Sequence, residues 1–294
     1  MKSGFITIAG RPNAGKSTLL NGITGEKIAA VSAKPQTTRN SIIGIVTDND
    51  CQMVFIDTPG IHNPKNKLGE FMIKKVDESI KSVDVIVMMA DVGDKLDENV
   101  KIAESLSRSG IPLVLAINKI DTVPKEKILE VISVLSEKAN FEEIIPISAK
   151  NGDGVDIVVT EIKKRLPEGP MYFPEDYVTD QPEKQIAAEI IREKALWNLD
   201  KEVPHGIAVE IESFKEQENG TVKITAAIYC EKKSHKGIII GKNGAMLKKI
   251  GQAARLDIEK FLNAKVYLEL WVKIKEDWRN SDFMLKNFGF KNDN

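Results

Sequence analysis

Apolar runs and segments of helical period alternate along the first 166 residues. The runs at 5–10, 42–48, 52–57, 84–90, 112–118 and 144–148 predict strands, and several are continuous β-branched stretches. Such runs suit a mostly parallel sheet covered on both faces. Helical patterns at 16–22, 68–82, 97–109, 125–138 and 153–166 lie between them. The pattern predicts a doubly wound α/β domain. Asp48-Asn49-Asp50 reads as a hairpin turn, so one edge strand is expected to be antiparallel. Four prolines then fall within residues 167–182, as in a linker. Beyond it the order changes to a helix at 183–197, strands at 207–213 and 222–230, and a glycine-rich turn. A helix at 245–262, a strand at 266–272 and a helix at 281–288 follow. The reading is an α/β domain over 1–170, a proline-rich linker over 171–183 and an α+β domain over 184–294. Residues 291–294 are expected to fray.

The net charge of -1 conceals an asymmetry. From Thr221 onward there are 15 Lys+Arg against 8 Asp+Glu, and the remainder carries 27 against 35. A basic back half behind an acidic front suggests a polyanionic partner. Cys51 and Cys230 stand far apart, without metal-ligand spacing, and read as reduced core thiols. The N-terminus enters a strand pattern at once, with no signal-peptide region. No apolar run approaches the ~20 residues of a membrane span. A soluble, cytoplasmic protein is expected.

Gly10-Arg11-Pro12-Asn13-Ala14-Gly15-Lys16-Ser17 closes the first strand and opens a helix. This is the phosphate-loop pattern in its confirming context. Its glycines let backbone amides turn toward phosphate oxygens, and the helix N-terminus adds partial positive charge. Lys16 would reach the β/γ-phosphates, Ser17 would bind Mg²⁺, and Thr18 continues the loop into the helix. Asp57-Thr58-Pro59-Gly60 ends a strand, placing a carboxylate for the Mg²⁺ shell and the Gly60 amide for the γ-phosphate. Asn118-Lys119-Ile120-Asp121 selects the base. An ionised Asp121 only accepts, matching guanine N1–H and N2–H₂, whereas adenine offers no such donor pair. Asn118 would tie this loop to the phosphate loop, and the stem of Lys119 would lie on the base. Ser148-Ala149-Lys150 would give an amide for guanine O6 and a second lysine stem. In the polar segment 32–40 a threonine can bind Mg²⁺ when the γ-phosphate is present, Thr38 being preferred to Thr37.

Gly237-Ile238-Ile239-Ile240-Gly241-Lys242-Asn243-Gly244 precedes the helix at 245. A GxxG turn of this kind is the KH signature, clamping the backbone of about four nucleotides. Lys236, Lys242, Lys248 and Lys249 would complement the phosphates, and Ile239, Ile240 and Leu247 would line a groove for bases. The order of elements fits the type II KH arrangement. Trp271, Trp278, Phe283, Phe288 and Phe290 read as packing residues, and His62, His205 and His235 have no ligand spacing.

The motifs of the front half resemble the translation-factor-like GTPases. That resemblance implies GTP hydrolysis through an ordered and a relaxed switch state. Ile61 follows Asp57-Thr58-Pro59-Gly60 where Ras-type switches carry glutamine, so another device must orient water. Arg11 and Arg39 are near in sequence, but neither is an evident arginine finger. In relatives with Asn at the position of Asn13, K⁺ can stand in for one. A phosphotransferase and an RNA scaffold without turnover are the competing readings. ADP-versus-GDP binding and multiple-turnover phosphate release discriminate them.

Both halves together resemble the Era family, bacterial GTPases of ribosome assembly. The likeness rests on GRPNAGKSTLLN at 10–21, PQTTRN at 35–40, DTPGIH at 57–62 and NKID at 118–121. In the back half it rests on FPEDYVTD at 173–180, EIIREK at 189–194, IGKNG at 240–244 and LELWVK at 268–273. It implies binding near the 3′ end of 16S rRNA, a part in 30S maturation and peripheral inner-membrane association. A monomer is expected.

Overall fold

The computed structural model describes residues 1–34, 36–61 and 64–290. It divides into two compact bodies. The first comprises residues 1–29, 38–63 and 72–180, the second 30–37, 64–71 and 181–294. The second body thus takes in two short segments from the front of the chain. Pro35, His62 and the expected fraying end 291–294 lie outside the described residues.

In the N-terminal body, six strands form one sheet in the order β2-β3-β1-β4-β5-β6. They are β1 (Lys2–Gly10), β2 (Ile42–Thr47), β3 (Cys51–Asp57), β4 (Val85–Asp91), β5 (Leu113–Asn118) and β6 (Glu143–Pro146). β2 alone is antiparallel to its neighbour, Ile42 facing Asp57 across the hairpin. β4 and β5 are buried on both faces, which accounts for their unbroken apolar sequence. The helices are α1 (Lys16–Thr24), α2 (Lys67–Ile80), α3 (Leu96–Ser107), α4 (Lys125–Ser136) and α5 (Val155–Arg165). The loops that carry the motifs leave the C-terminal ends of β1, β3, β5 and β6, where ligands of open α/β sheets bind.

Much of the proline-rich stretch lies along this body. Gln52 donates to the Phe173 carbonyl and accepts from the Tyr172 and Phe173 amides, while Ile45 N–H donates to Val178 at 2.7 Å. Tyr172 also packs on Phe5, ring centroids 4.8 Å apart. Residues 172, 173 and 178 are thus hydrogen-bonded to β2 and β3.

The C-terminal body places α6 (Glu183–Asn198) and α8 (Ala245–Leu262) against a three-stranded sheet, β7 (Ala208–Glu216), β8 (Val222–Cys230) and β9 (Val266–Ile274). β7 and β8 are antiparallel with a bulge at Ile211/Ser213, and β8 and β9 are parallel. α8 buries Ile250, Ala254 and Ile258, four residues apart on one face. One helix was absent from the expected order. α7 (Lys233–Ile240) precedes the GxxG turn, so that turn joins two helices. A run of three isoleucines carries no helical period of its own, which hid it. α9 (Asp282–Asn287) closes the chain, capped by Ser281, whose hydroxyl accepts from Met284 N–H.

Trp278 is fully buried here. Its Nε1 donates to Gly206 at 2.9 Å and its ring meets Phe288 edge-on at 5.2 Å. Trp271 and Phe283, expected to pack, are instead 54% and 71% exposed. Trp271 lies on the β9 face opposite Leu270 and Val272 and so misses the helices. No described helix is long and apolar enough to cross a membrane.

Candidate functional site

β1 ends at Gly10, and the loop to α1 turns through Asn13 (φ 66°) and Gly15 (φ 101°). Gly15 must lack a side chain. A Cβ there would lie 2.1 Å from Asn118 Nδ2, the atom that fastens the loop. With no side chain capping the start of α1, the segment can receive an anion. Lys16 lies beneath it, buried, donating Nζ to the Gly10 and Arg11 carbonyls at 3.2 and 3.0 Å. Burial brings its pKa down to about 8, although nearby Asp57 opposes the shift.

Three hard oxygens meet beside it. Ser17 Oγ is 2.6 Å from Asp57 Oδ2 and 2.8 Å from Thr38 Oγ1, which is 3.3 Å from the same carboxylate. Burial pushes the Asp57 carboxyl above its ordinary range, against the pull of Lys16 and the two hydroxyls. Asp57 Oδ1 is buried with no hydrogen-bond partner among the described residues. An orphaned carboxylate oxygen among hydroxyls fits a small hard cation such as Mg²⁺. No cluster of three or more His, Cys, Asp or Glu exists among the described residues to offer another metal site. Of the two threonines, Thr38 points into this cluster, while Thr37 Oγ1 donates to Lys34 at 2.6 Å.

Asn118, at the end of β5, holds the loop 118–121 to both its neighbours. Its Nδ2 donates to Ala14 at 2.8 Å and its Oδ1 accepts from Ala149 N–H at 2.9 Å. Ser148, wholly buried, donates to Asp121 Oδ1 at 2.7 Å and so orients that carboxylate. Asp121 and Lys150 are exposed and face solvent. Lys119 takes a left-handed backbone (φ 66°), and its ammonium pairs with Asp91 at the end of β4. That tether was not read from the sequence. Arg11 pairs with Asp94 at 3.1 Å and with Glu98, so its side chain turns away from the loop it belongs to. Pro12 and Asn13 sit at the loop's outer edge, partly buried and exposed, and Thr18 is partly buried in α1. Ile61 packs against the core around β4 and β5, its N–H donating to Gly10 at 3.0 Å.

The second site lies in the C-terminal body. Gly241 (φ 72°, ψ 175°) ends α7, and a Cβ there would come 2.9 Å from Met246 N. Gly237, Lys242, Asn243, Lys248 and Lys249 are exposed, and Lys236, Ile240 and Gly244 are half-buried. Ile239, expected on the RNA face, is completely buried, and Ile238 is the isoleucine of this run that meets solvent. Beside Gly244 runs a groove of about 370 Å³ floored by Leu247, Gly251, Leu268 and Leu270 and edged by Lys248, Gln252 and Arg255. Sequence reading found Leu247 and the lysines but missed the remainder. The signals existed: 248, 252 and 255 share a helical face, and 268 and 270 alternate along β9.

Fold and sites together define a P-loop GTPase with a C-terminal KH domain. A family model described as a 50S ribosome-binding GTPase matches residues 5–119, and a KH-domain model matches residues 202–279. GTPase Era of Ruminiclostridium cellulolyticum is 56% identical over 99% of this chain and 98% of that protein, and GTPase Era of Clostridium kluyveri is 56% identical over 99% and 100%. The chain belongs to the Era family of GTPases. Among solved structures, Era bound to MgGDPNP and nucleotides 1506–1542 of 16S ribosomal RNA aligns with a TM-score of 0.95. It shares 40% identity over 99% of this chain and 100% of that one. A variant of Aquifex aeolicus Era bound to GDP and AlF4⁻ aligns with a TM-score of 0.94 at 40% identity, over the same shares of the two chains.

Proposed function

We propose that this chain hydrolyses GTP to GDP and phosphate as a nucleotide-controlled switch, binds the 3′ end of 16S rRNA and promotes 30S subunit assembly. The observation that carries the GTPase reading is the cluster of Ser17, Thr38 and Asp57 oxygens beside buried Lys16. Ser17, Thr38 and Asp57 would hold Mg²⁺, which when bound neutralises β- and γ-phosphate charge. The backbone amides of residues 13–18 and the Lys16 ammonium bind the phosphates, Pro12 having no N–H to offer. The Gly60 amide and Thr38 sense the γ-phosphate. Asp121 accepts from the guanine edge, Lys119 and Lys150 flank the base, and the Ala149 amide meets O6. Asn118 keeps these loops in register with the phosphate loop.

Ile61 packs away and cannot position water, so the exposed Asn13 is assigned to a K⁺ site that serves the developing charge. Faster turnover in K⁺ than in Na⁺, lost in Asn13→Ala, is the expected result. Equal rates would remove K⁺ from the scheme.

The RNA reading is supported by the exposed GxxG lysines, the adjoining groove and the Era structure that contains 16S rRNA. A cytoplasmic monomer with a peripheral inner-membrane fraction completes the proposal, the membrane part resting on family resemblance alone. Competition binding tests the nucleotide class, with GDP displacing a labelled guanine nucleotide at far lower concentration than ADP. Equal competition by ADP would favour a phosphotransferase. A single round of phosphate release without turnover would favour an RNA scaffold.

A further inference from the structure

Residues 91–98 run from the end of β4 into the first turn of α3. They have no part in the scheme above, yet two loops of the guanine pocket are fastened to them. Asp91 Oδ2 pairs with the Lys119 ammonium, and Asp91 Oδ1 accepts from Gly93 N–H at 2.9 Å. Val92 N–H donates to the Asn118 carbonyl at 3.0 Å. Asp94 pairs with Arg11 of the phosphate loop at 3.1 Å, and Glu98 takes the other guanidinium nitrogen. One turn of chain therefore braces both the phosphate loop and the loop 118–121.

The Lys119–Asp91 pair is only partly buried, its side chains 38% and 17% exposed. Such a pair adds little to stability. It does not by itself account for a lysine on left-handed backbone (φ 66°), where an L side chain is unfavourable. What the pair fixes is direction. The stem of Lys119 is the part assigned to the guanine face, and its ammonium is held at the end of β4. A stem fixed at both ends has lost its rotamer freedom before the base arrives. An untethered lysine would lose that freedom on binding, at the expense of affinity.

We propose that Asp91 is a positioning residue for the guanine base, holding the Lys119 stem where the base stacks. This rests on the reading of Lys119 as a base-flanking residue. Electrostatics alone predicts the opposite sign, since removing a carboxylate from a pocket for an anion favours the anion. A loss of affinity on neutralising Asp91 is therefore the mark of positioning.

The test uses the full-length protein in Mg²⁺, measuring Kd for GDP in Asp91→Asn, Asp91→Glu, Lys119→Ala and the Asp91→Asn/Lys119→Ala double variant. Lys119→Ala is expected to weaken GDP binding. Asp91→Asn keeps the acceptor for Gly93 and removes the charge that holds Lys119. GDP affinity should fall roughly tenfold, as loss of a charged hydrogen bond implies, and Asp91→Glu should restore it to within about threefold of the parent. The double variant should bind no more weakly than Lys119→Ala, because Asp91 acts through Lys119. An unchanged or raised affinity in Asp91→Asn, or losses that multiply in the double variant, would overturn the proposal. Unchanged binding in Lys119→Ala would instead remove the base-flanking reading, and the proposal with it. Should Asp91→Asn fail to fold, Lys119→Met decides, since it keeps an unbranched stem and deletes the ammonium. A loss of about tenfold is expected there too, and an unchanged affinity would refute the idea.

Discussion

The nucleotide pocket and the KH groove solve recognition in opposite ways. In the pocket, side chains bind the protein's own backbone, leaving backbone and a few fixed groups to bind the ligand. Asn118 spends its whole amide on Ala14 and Ala149, and Ser148 spends its hydroxyl on Asp121. In the groove, the polar groups themselves face solvent, Lys248 exposed beside an apolar floor and Lys242 and Lys249 exposed on the adjoining turn and helix. The first plan suits one small ligand of fixed shape, since pre-ordering removes entropy that binding would otherwise cost. The second suits a flexible strand whose phosphates need charge and whose bases need a surface. Single changes should therefore be severe in the pocket and graded in the groove.

The largest effect is expected at Asp121. Asp121→Ala removes both acceptors for the guanine edge and should weaken GDP binding about 10³-fold. Its exposed position leaves the fold untouched, so circular dichroism should be unchanged. A loss below tenfold would mean the base is selected elsewhere. Next, Trp278→Ala should cost about 3–5 kcal/mol in the C-terminal body, since it empties a fully buried site and strands the Gly206 carbonyl. Denaturation followed with and without GDP should show that body melting earlier while GDP still binds. Equal loss of GDP binding would contradict the division into two bodies.

In the groove, Lys242→Asp with Asn243→Asp replaces GxxG charge while keeping both glycines. Affinity for a short RNA matching the 16S 3′ end should fall roughly 10- to 100-fold, with RNA-free GTP hydrolysis unchanged. Unchanged RNA binding would move the site off this turn.

The smallest effect is one of pH. With Lys16 near a pKa of about 8 in the nucleotide-free protein, its ammonium is present below that pH and lost above it. GTP affinity should be flat below pH 8 and fall above it by up to tenfold per unit, binding being coupled to proton uptake. The same shift means that the empty protein gains stability as pH rises from about 8 toward 10.5, since the unfolded lysine binds more protons there. A pH-independent affinity across that range would show Lys16 to be fully charged before nucleotide arrives.

The two plans also differ in how much of them the sequence reveals. The phosphate-loop, Asp57-Thr58-Pro59-Gly60 and Asn118-Lys119-Ile120-Asp121 segments have fixed local spacing at strand ends, so the sequence marks where they lie in the fold. The tethers it does not mark, Asp91 holding Lys119 and Asp94 with Glu98 holding Arg11, join segments far apart in sequence. In the KH body the GxxG turn was legible, but α7 was hidden in an isoleucine run, and Ile239 faced the core where solvent was expected. Leu268 and Leu270 joined the groove only through the parallel pairing of β9 with β8. Long-range register of that kind has no local signature. Nor had the assignment of residues 30–37 to the C-terminal body, where Glu193 and Arg192 of α6 hold the backbone of Val31 and Thr37.

That the guanine pocket and the RNA groove work as one switch is tested most directly by steady-state GTP hydrolysis in Mg²⁺ and K⁺. The rate is compared with and without a short RNA matching the 3′ end of 16S rRNA. A rate raised by the RNA, and no longer raised in the Lys242→Asp/Asn243→Asp protein, is the expected result. A rate indifferent to RNA at concentrations that saturate its binding would contradict the coupling and leave the groove as a passive anchor.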